Sequence, residues 1–111
     1  MSEPDWLFSL AQMQARLDEE QTARAVYGLR RGSMRVGLYA PIGVDPQTPH
    51  PQDELYIIVA GSGQFSKNGE RRPFKPQDVI FVEAGADHRF EGFTADFSAW
   101  VIFWGPEGGG G

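Results

Sequence analysis

Apolar residues recur along the chain with two different periods. Near the start, Trp6, Leu10, Met13 and Leu17 are spaced by four, three and four, which places them on one stripe of a helix. Ser2 followed by Asp5 resembles a capping box, with Pro4 in the first turn and acidic Glu3 and Asp5 at the positive end of the helix dipole. The polar run Asp18-Glu19-Glu20-Gln21 ends the pattern. A helix with one apolar stripe is expected to pack across the outside or one end of whatever follows.

Beyond Ala23 the period changes to two. A strand is expected over 23–30, closed by the turn Arg31-Gly32-Ser33. Met34, Val36 and Leu38 then alternate with Arg35, Gly37 and Tyr39, the pattern of a half-buried strand. Proline and glycine between 41 and 51 mark a loop, and the run ELYIIVA over 54–60 is a strand. Asn68-Gly69 between 63–67 and 70–74 reads as a hairpin with a type I′ turn, because both central residues need positive φ. Pro76-Gln77-Asp78 is a further turn, 79–82 a buried strand, 84–87 a loop, 88–91 a short strand and 99–104 the last. Many short, evenly spaced strands with aromatic residues in them predict a filled barrel or sandwich.

The chain has 111 residues, enough for one core and too few for two. The expected organisation is a helix and linker over 1–22 packed on the barrel, a barrel over 23–106, and a disordered glycine tail over 107–111. A formal net charge of −5 disfavours nucleic acid and offers no basic patch to an anionic membrane. No apolar run approaches the ~20 residues of a spanning helix. The acidic N-terminus lacks the features of a signal peptide. The absence of cysteine excludes disulfides and thiolate ligands and suits a cytoplasmic location.

Both histidines of the chain, His50 and His88, fall at loop-to-strand junctions. His50 and Glu54 lie four apart on an extended segment and so share a face; if strand geometry begins by Thr48, then Thr48, His50, Glu54, Tyr56 and Ile58 all lie on it. Two histidines and one carboxylate form a set that binds divalent iron, manganese, nickel or zinc and leaves positions open for substrate. Asp53 has the opposite parity and is expected to make a structural hydrogen bond. Tyr56 faces inward, as a substrate contact or as a core residue. Phe90, Trp100 and Trp104 suit a pocket lining, and more readily the core or a dimer interface. Arg35 reads as a solvated strand residue. Glu83 and Asp87 are acid–base candidates only if they face inward.

The segment Thr48-Pro49-His50-Pro51-Gln52-Asp53-Glu54 through Gly61 resembles the first motif of the cupins, in which two histidines, a glutamate and a glycine recur at set spacing. His50, Glu54 and Gly61 match it. In the second motif Gly85 and His88 match in identity. The resemblance covers 41–104 and is to small bacterial single-domain cupins of the cupin 2 conserved barrel kind. Thr48 stands where the first histidine is usual, Gln77 where glycine is usual, Glu83 where proline is usual and Gly92 where asparagine is usual. The resemblance implies an all-β, double-stranded β-helix (jelly-roll) barrel with a short N-terminal helix, commonly a homodimer. It implies a divalent metal on His50, Glu54 and His88, with Gln47, Thr48, Tyr56 or Phe90 as further ligand or pocket residues. It also implies a small-molecule ligand. Two functions stay open: a metal-dependent enzyme, dioxygenase- or isomerase-like, and a non-catalytic ligand- or metal-binding module serving as sensor or accessory protein.

Overall fold

The computed structural model describes residues 6–20 and 22–110. One helix, α1 (Leu10–Glu19), precedes eight strands: β1 (Ala25–Arg31), β2 (Met34–Tyr39), β3 (Asp53–Ala60), β4 (Gly63–Lys67), β5 (Glu70–Phe74), β6 (Val79–Val82), β7 (His88–Glu91) and β8 (Ser98–Trp104). They form a five-stranded sheet ordered β1-β2-β8-β3-β6 and a three-stranded sheet ordered β5-β4-β7. All pairings are antiparallel. The β4–β5 hairpin has the expected turn, with Asn68 at φ 50° and Gly69 at φ 87°.

The helix starts later than its spacing suggests. Ser9 caps it: its hydroxyl accepts from the Gln12 amide, and the Gln12 side chain accepts from the Ser9 amide. Ser2 and Asp5 lie outside the described residues. Trp6 precedes the helix and is 91% exposed, so it is not part of the buried stripe. Met13 and Leu17 are buried against Val26, Leu38 and Ala40 on the outer face of the large sheet. Arg24 ties the helix end down, donating to the carbonyls of Leu17, Glu20 and Ala40. Its positive charge also suits the C-terminal end of the helix dipole.

The main core lies between the sheets and contains Tyr56, Ile58, Phe65, Phe74, Val82, Phe90, Phe97, Val101 and Phe103. Strand β2 turns the other way from the simplest reading. Leu38 points out under the helix, and Tyr39 points into the main core. This is possible because both faces of the strand are covered, so hydrophobic parity alone does not identify the inner one. Strand β6 also differs from expectation. It is the outer strand of its sheet, and its alternate residues Val79 and Phe81 are 61% and 46% exposed. At the other end of the chain, Gly108 donates to the Pro51 carbonyl and Gly110 to Asp53, contacts a free glycine tail would lack.

Candidate metal centre

Strand β3 alternates between an outer face and a fully buried inner face of Glu54, Tyr56 and Ile58. A carboxylate on such a face needs partners. They come from two loops that are latched together. The Gly85 amide donates to the His50 carbonyl, and the Ala84 amide donates to the Asp53 carboxylate. Asp53 therefore has the structural role its parity suggests. The latch brings His50, ahead of β3, beside His88, the first residue of β7.

The Glu54 Oε1 atom lies 3.1 Å from His50 Nδ1 and 2.8 Å from His88 Nε2. One ligand atom from each of the three residues falls within a 4.8 Å cluster. His88 Nδ1 donates to the Ala86 carbonyl at 2.8 Å, which leaves Nε2 as the atom that turns to the cluster. Glu54 Oε2 is buried with no hydrogen-bond partner. An acceptor-only oxygen left bare beside two imidazoles is what a cation would satisfy, so the residues present fit a divalent metal.

Without a metal, a proton does part of that work. Burial pushes the Glu54 carboxyl up, but the hydrogen bonds and charges of His50 and His88 outweigh it and hold the group below its ordinary value. Burial pulls His88 down, but Glu54 and the Ala86 carbonyl outweigh it and raise this imidazole above its ordinary value.

The other sequence candidates divide. Gln47 points inward, its Oε1 lying 3.1 Å from His88 Nε2 and accepting from the Tyr56 hydroxyl at 2.9 Å. Thr48 is exposed and outside the cluster, because regular strand geometry begins only at Asp53. Tyr56 is a core residue whose hydroxyl reaches the site, and burial keeps that hydroxyl protonated. Phe90 lines no described cavity beside the site; it packs on Tyr56, Phe65, Phe74 and Phe97. Glu83 pairs with Lys67 and Asp87 with Arg89, both exposed, so neither faces the site. Arg35 is half-buried instead of solvated, its guanidinium 4.4 Å from the Phe103 ring and 5.3 Å from the Tyr27 ring.

Sequence reasoning missed Asp45, Tyr39 and the cavity beside them. Asp45 is 4% exposed and accepts from the Tyr39 hydroxyl, from Gln47 and from the Phe90 amide. Nothing in Val44-Asp45-Pro46 distinguishes this aspartate from an ordinary turn residue. A cavity of about 230 Å³ borders His50 and is walled by Tyr27, Tyr39, Gln47, Tyr56 and Phe103. Gly37 makes room for the Tyr27 ring in that wall: a Cβ there would come within 2.7 Å of the ring and closer still to the Val26 carbonyl. A larger groove, about 420 Å³, lies between the edges of β5 and β6 but touches none of the three clustered residues.

The cupin domain family matches residues 36–103. An uncharacterized protein of Streptomyces coelicolor is 36% identical over 100 residues, spanning 83% of this chain and 95% of its own. The chain belongs to the cupin family, and its jelly-roll fold agrees. A cupin 2 conserved barrel protein from Salinispora arenicola superposes with a TM-score of 0.60 at 21% identity, covering 74% of this chain and 75% of that one. Dimethylsulfoniopropionate lyase DddQ of Ruegeria pomeroyi is 33% identical over 73 residues, 65% of this chain. Its structure superposes with a TM-score of 0.63 at 28% identity over 73% of this chain. This chain spans only 34% of that lyase's length in the sequence comparison and 46% in the structural one. No helix among the described residues is long and apolar enough to cross a membrane.

Proposed function

We propose that this cupin binds one divalent metal through His50, Glu54 and His88 and acts as a metal-dependent enzyme on a small molecule. The observation that carries the reading is the buried, unpartnered Glu54 Oε2 beside two imidazoles. The metal, iron, zinc, manganese or nickel, would supply Lewis acidity to a bound oxygen atom of the substrate. His88 holds its Nε2 ready through the Ala86 carbonyl. In the metal-free protein burial keeps Tyr56 protonated, and its hydroxyl donates to Gln47.

The adjoining cavity describes the substrate. At about 230 Å³ it is small for a ligand site. Its walls are mostly aromatic and aliphatic, with Gln47 and His50 among them and no lysine or arginine. The substrate class is therefore a compact molecule that offers oxygen to the metal and carries an uncharged body. The DddQ resemblance supports lyase chemistry beside the dioxygenase- or isomerase-like chemistry that the family resemblance implies.

A second reading, a binding module without turnover, is favoured by one observation: Glu83 and Asp87 both face solvent, which removes the nearest candidate acid–base pair. Cytoplasmic residence and homodimerisation belong to the proposal as well. The exposed Val79 and Phe81 on edge strand β6 offer a surface to a second copy, to be checked by light scattering.

The deciding experiment is elemental analysis of untagged protein beside His50→Ala and His88→Ala. Near-stoichiometric metal that both variants lose supports the site, and turnover of small oxygen-bearing compounds by the loaded protein then separates enzyme from binder. No metal in the wild type after reconstitution with iron, zinc, manganese and nickel would sink the reading.

A further inference from the structure

We propose that Gln47 supplies a fourth, oxygen donor to the metal centre, and that Asp45 is the positioning residue that holds it there. This rests on the metal reading above and extends it to two residues outside the His–Glu–His set.

The motif position that would carry a further imidazole holds Thr48, which is exposed. Its neighbour Gln47 takes the inward place. Gln47 Oε1 lies 3.1 Å from His88 Nε2, a separation like the 2.8 Å and 3.1 Å that relate Glu54 Oε1 to the two histidines. Atoms bound about 2.1 Å from one ion lie about 3.0–3.4 Å apart, so the 3.1 Å between Gln47 Oε1 and His88 Nε2 is a spacing that two donors to one ion can have.

An amide has two unlike ends, and only the oxygen ligates. Asp45 decides which end faces in. Its Oδ2 accepts from Gln47 Nε2 and, at 2.9 Å, from the Phe90 amide. Its Oδ1 accepts from the Tyr39 hydroxyl and the Gln47 backbone amide. The carboxylate is thus anchored to β2 and β7 independently of the Gln47 side chain. A carboxylate only accepts, so turning the amide over would set oxygen against oxygen at Asp45 and lose the bond from Tyr56. The Tyr56 hydroxyl donates to Gln47 Oε1 and occupies one lone pair, leaving the second for the metal. Asp45 itself has four donors on its two oxygens and is not among the clustered ligand atoms.

The test titrates Co²⁺ alone into metal-free wild type, Gln47→Leu, Asp45→Ala, the double variant and His88→Ala. Affinity is read by calorimetry and coordination by the visible ligand-field bands. Both Gln47→Leu and Asp45→Ala should weaken Co²⁺ by about 10- to 100-fold and change the bands alike, the range seen when groups supporting a metal site are lost. The double variant should lose no more than either single one. Wild-type affinity and bands in Gln47→Leu or Asp45→Ala, with binding still lost in His88→Ala, overturn this inference alone. No Co²⁺ binding by the wild type overturns it together with the metal reading. Should Asp45→Ala fail to fold, the ¹⁵N-labelled wild type answers instead. The Gln47 side-chain amide should exchange more slowly than that of exposed Gln77, before and after zinc loading, and exchange at the Gln77 rate overturns the proposal.

Discussion

Between the two sheets, one end of the core is a stack of phenylalanine rings and the other holds two imidazoles and two buried carboxylates. At the apolar end Phe90 meets Phe97 at 4.5 Å, Phe65 at 4.8 Å and Phe74 at 5.3 Å between ring centroids. At the polar end Glu54, His88 and Asp45 are as deeply buried, but hydrogen bonds and ion pairs hold them, beside ring contacts of His88 with Phe65 and Tyr56. Tyr56 stands on the boundary, its ring 4.9 Å from Phe90 and its hydroxyl on Gln47. Equal burial thus serves two purposes. Ring packing stabilises the fold whatever is bound, whereas the polar end keeps one carboxylate oxygen unsatisfied, where the proposed metal would bind.

The comparison breaks first at Phe90. Phe90→Ala should lower unfolding free energy by about 3–5 kcal/mol in urea melts, with metal affinity of the folded protein unchanged. A large change in affinity instead would mean that the two ends are not separable. Next in size is the metal itself. At a thousandfold excess over its dissociation constant it should add about 4 kcal/mol, seen as a rise in Tm that chelator reverses and that His50→Ala and His88→Ala abolish. Glu54→Leu sharpens the contrast. It should stay within about 1 kcal/mol of the metal-free wild type or exceed it, because the His88 imidazole can turn neutral once the carboxylate is gone. A loss as large as that of Phe90→Ala would make Glu54 a stability element and weaken the metal reading.

The smallest effect is the pH dependence of the metal-free protein. Glu54 is held below its ordinary 4.5, so its contribution is present above that value and is lost as pH falls through the folded pKa. His88 is held above its ordinary 6.5, so its contribution is present below 6.5 and is lost as pH rises through the folded pKa. Urea melts should therefore show greatest stability between these limits. Metal loading should remove the alkaline loss, since the ion replaces the proton. An alkaline loss of the same size with and without metal would show that it does not arise at His88.

Much of this protein was determined by local sequence. Asn68-Gly69 dictates its hairpin because few residue pairs adopt positive φ twice. The spacing of His50 to Glu54 and the Gly85-x-x-His88 pattern mark the candidate ligands, and the opposite parity of Asp53 separates it from them, because side chains alternate along an extended chain. Other features were decided only by tertiary structure. Which face of β2 is inner depended on where α1 docked, since Leu38 is buried and Tyr39 half-buried on opposite faces and periodicity cannot rank two covered faces. Arg35 lost its solvent to Phe103, a partner more than sixty positions away. Asp45 and Gln47 sit in an irregular loop with no period to reveal direction. Their roles came from Tyr39, Tyr56, His88 and Phe90, which only the closed sandwich brings within hydrogen-bond reach.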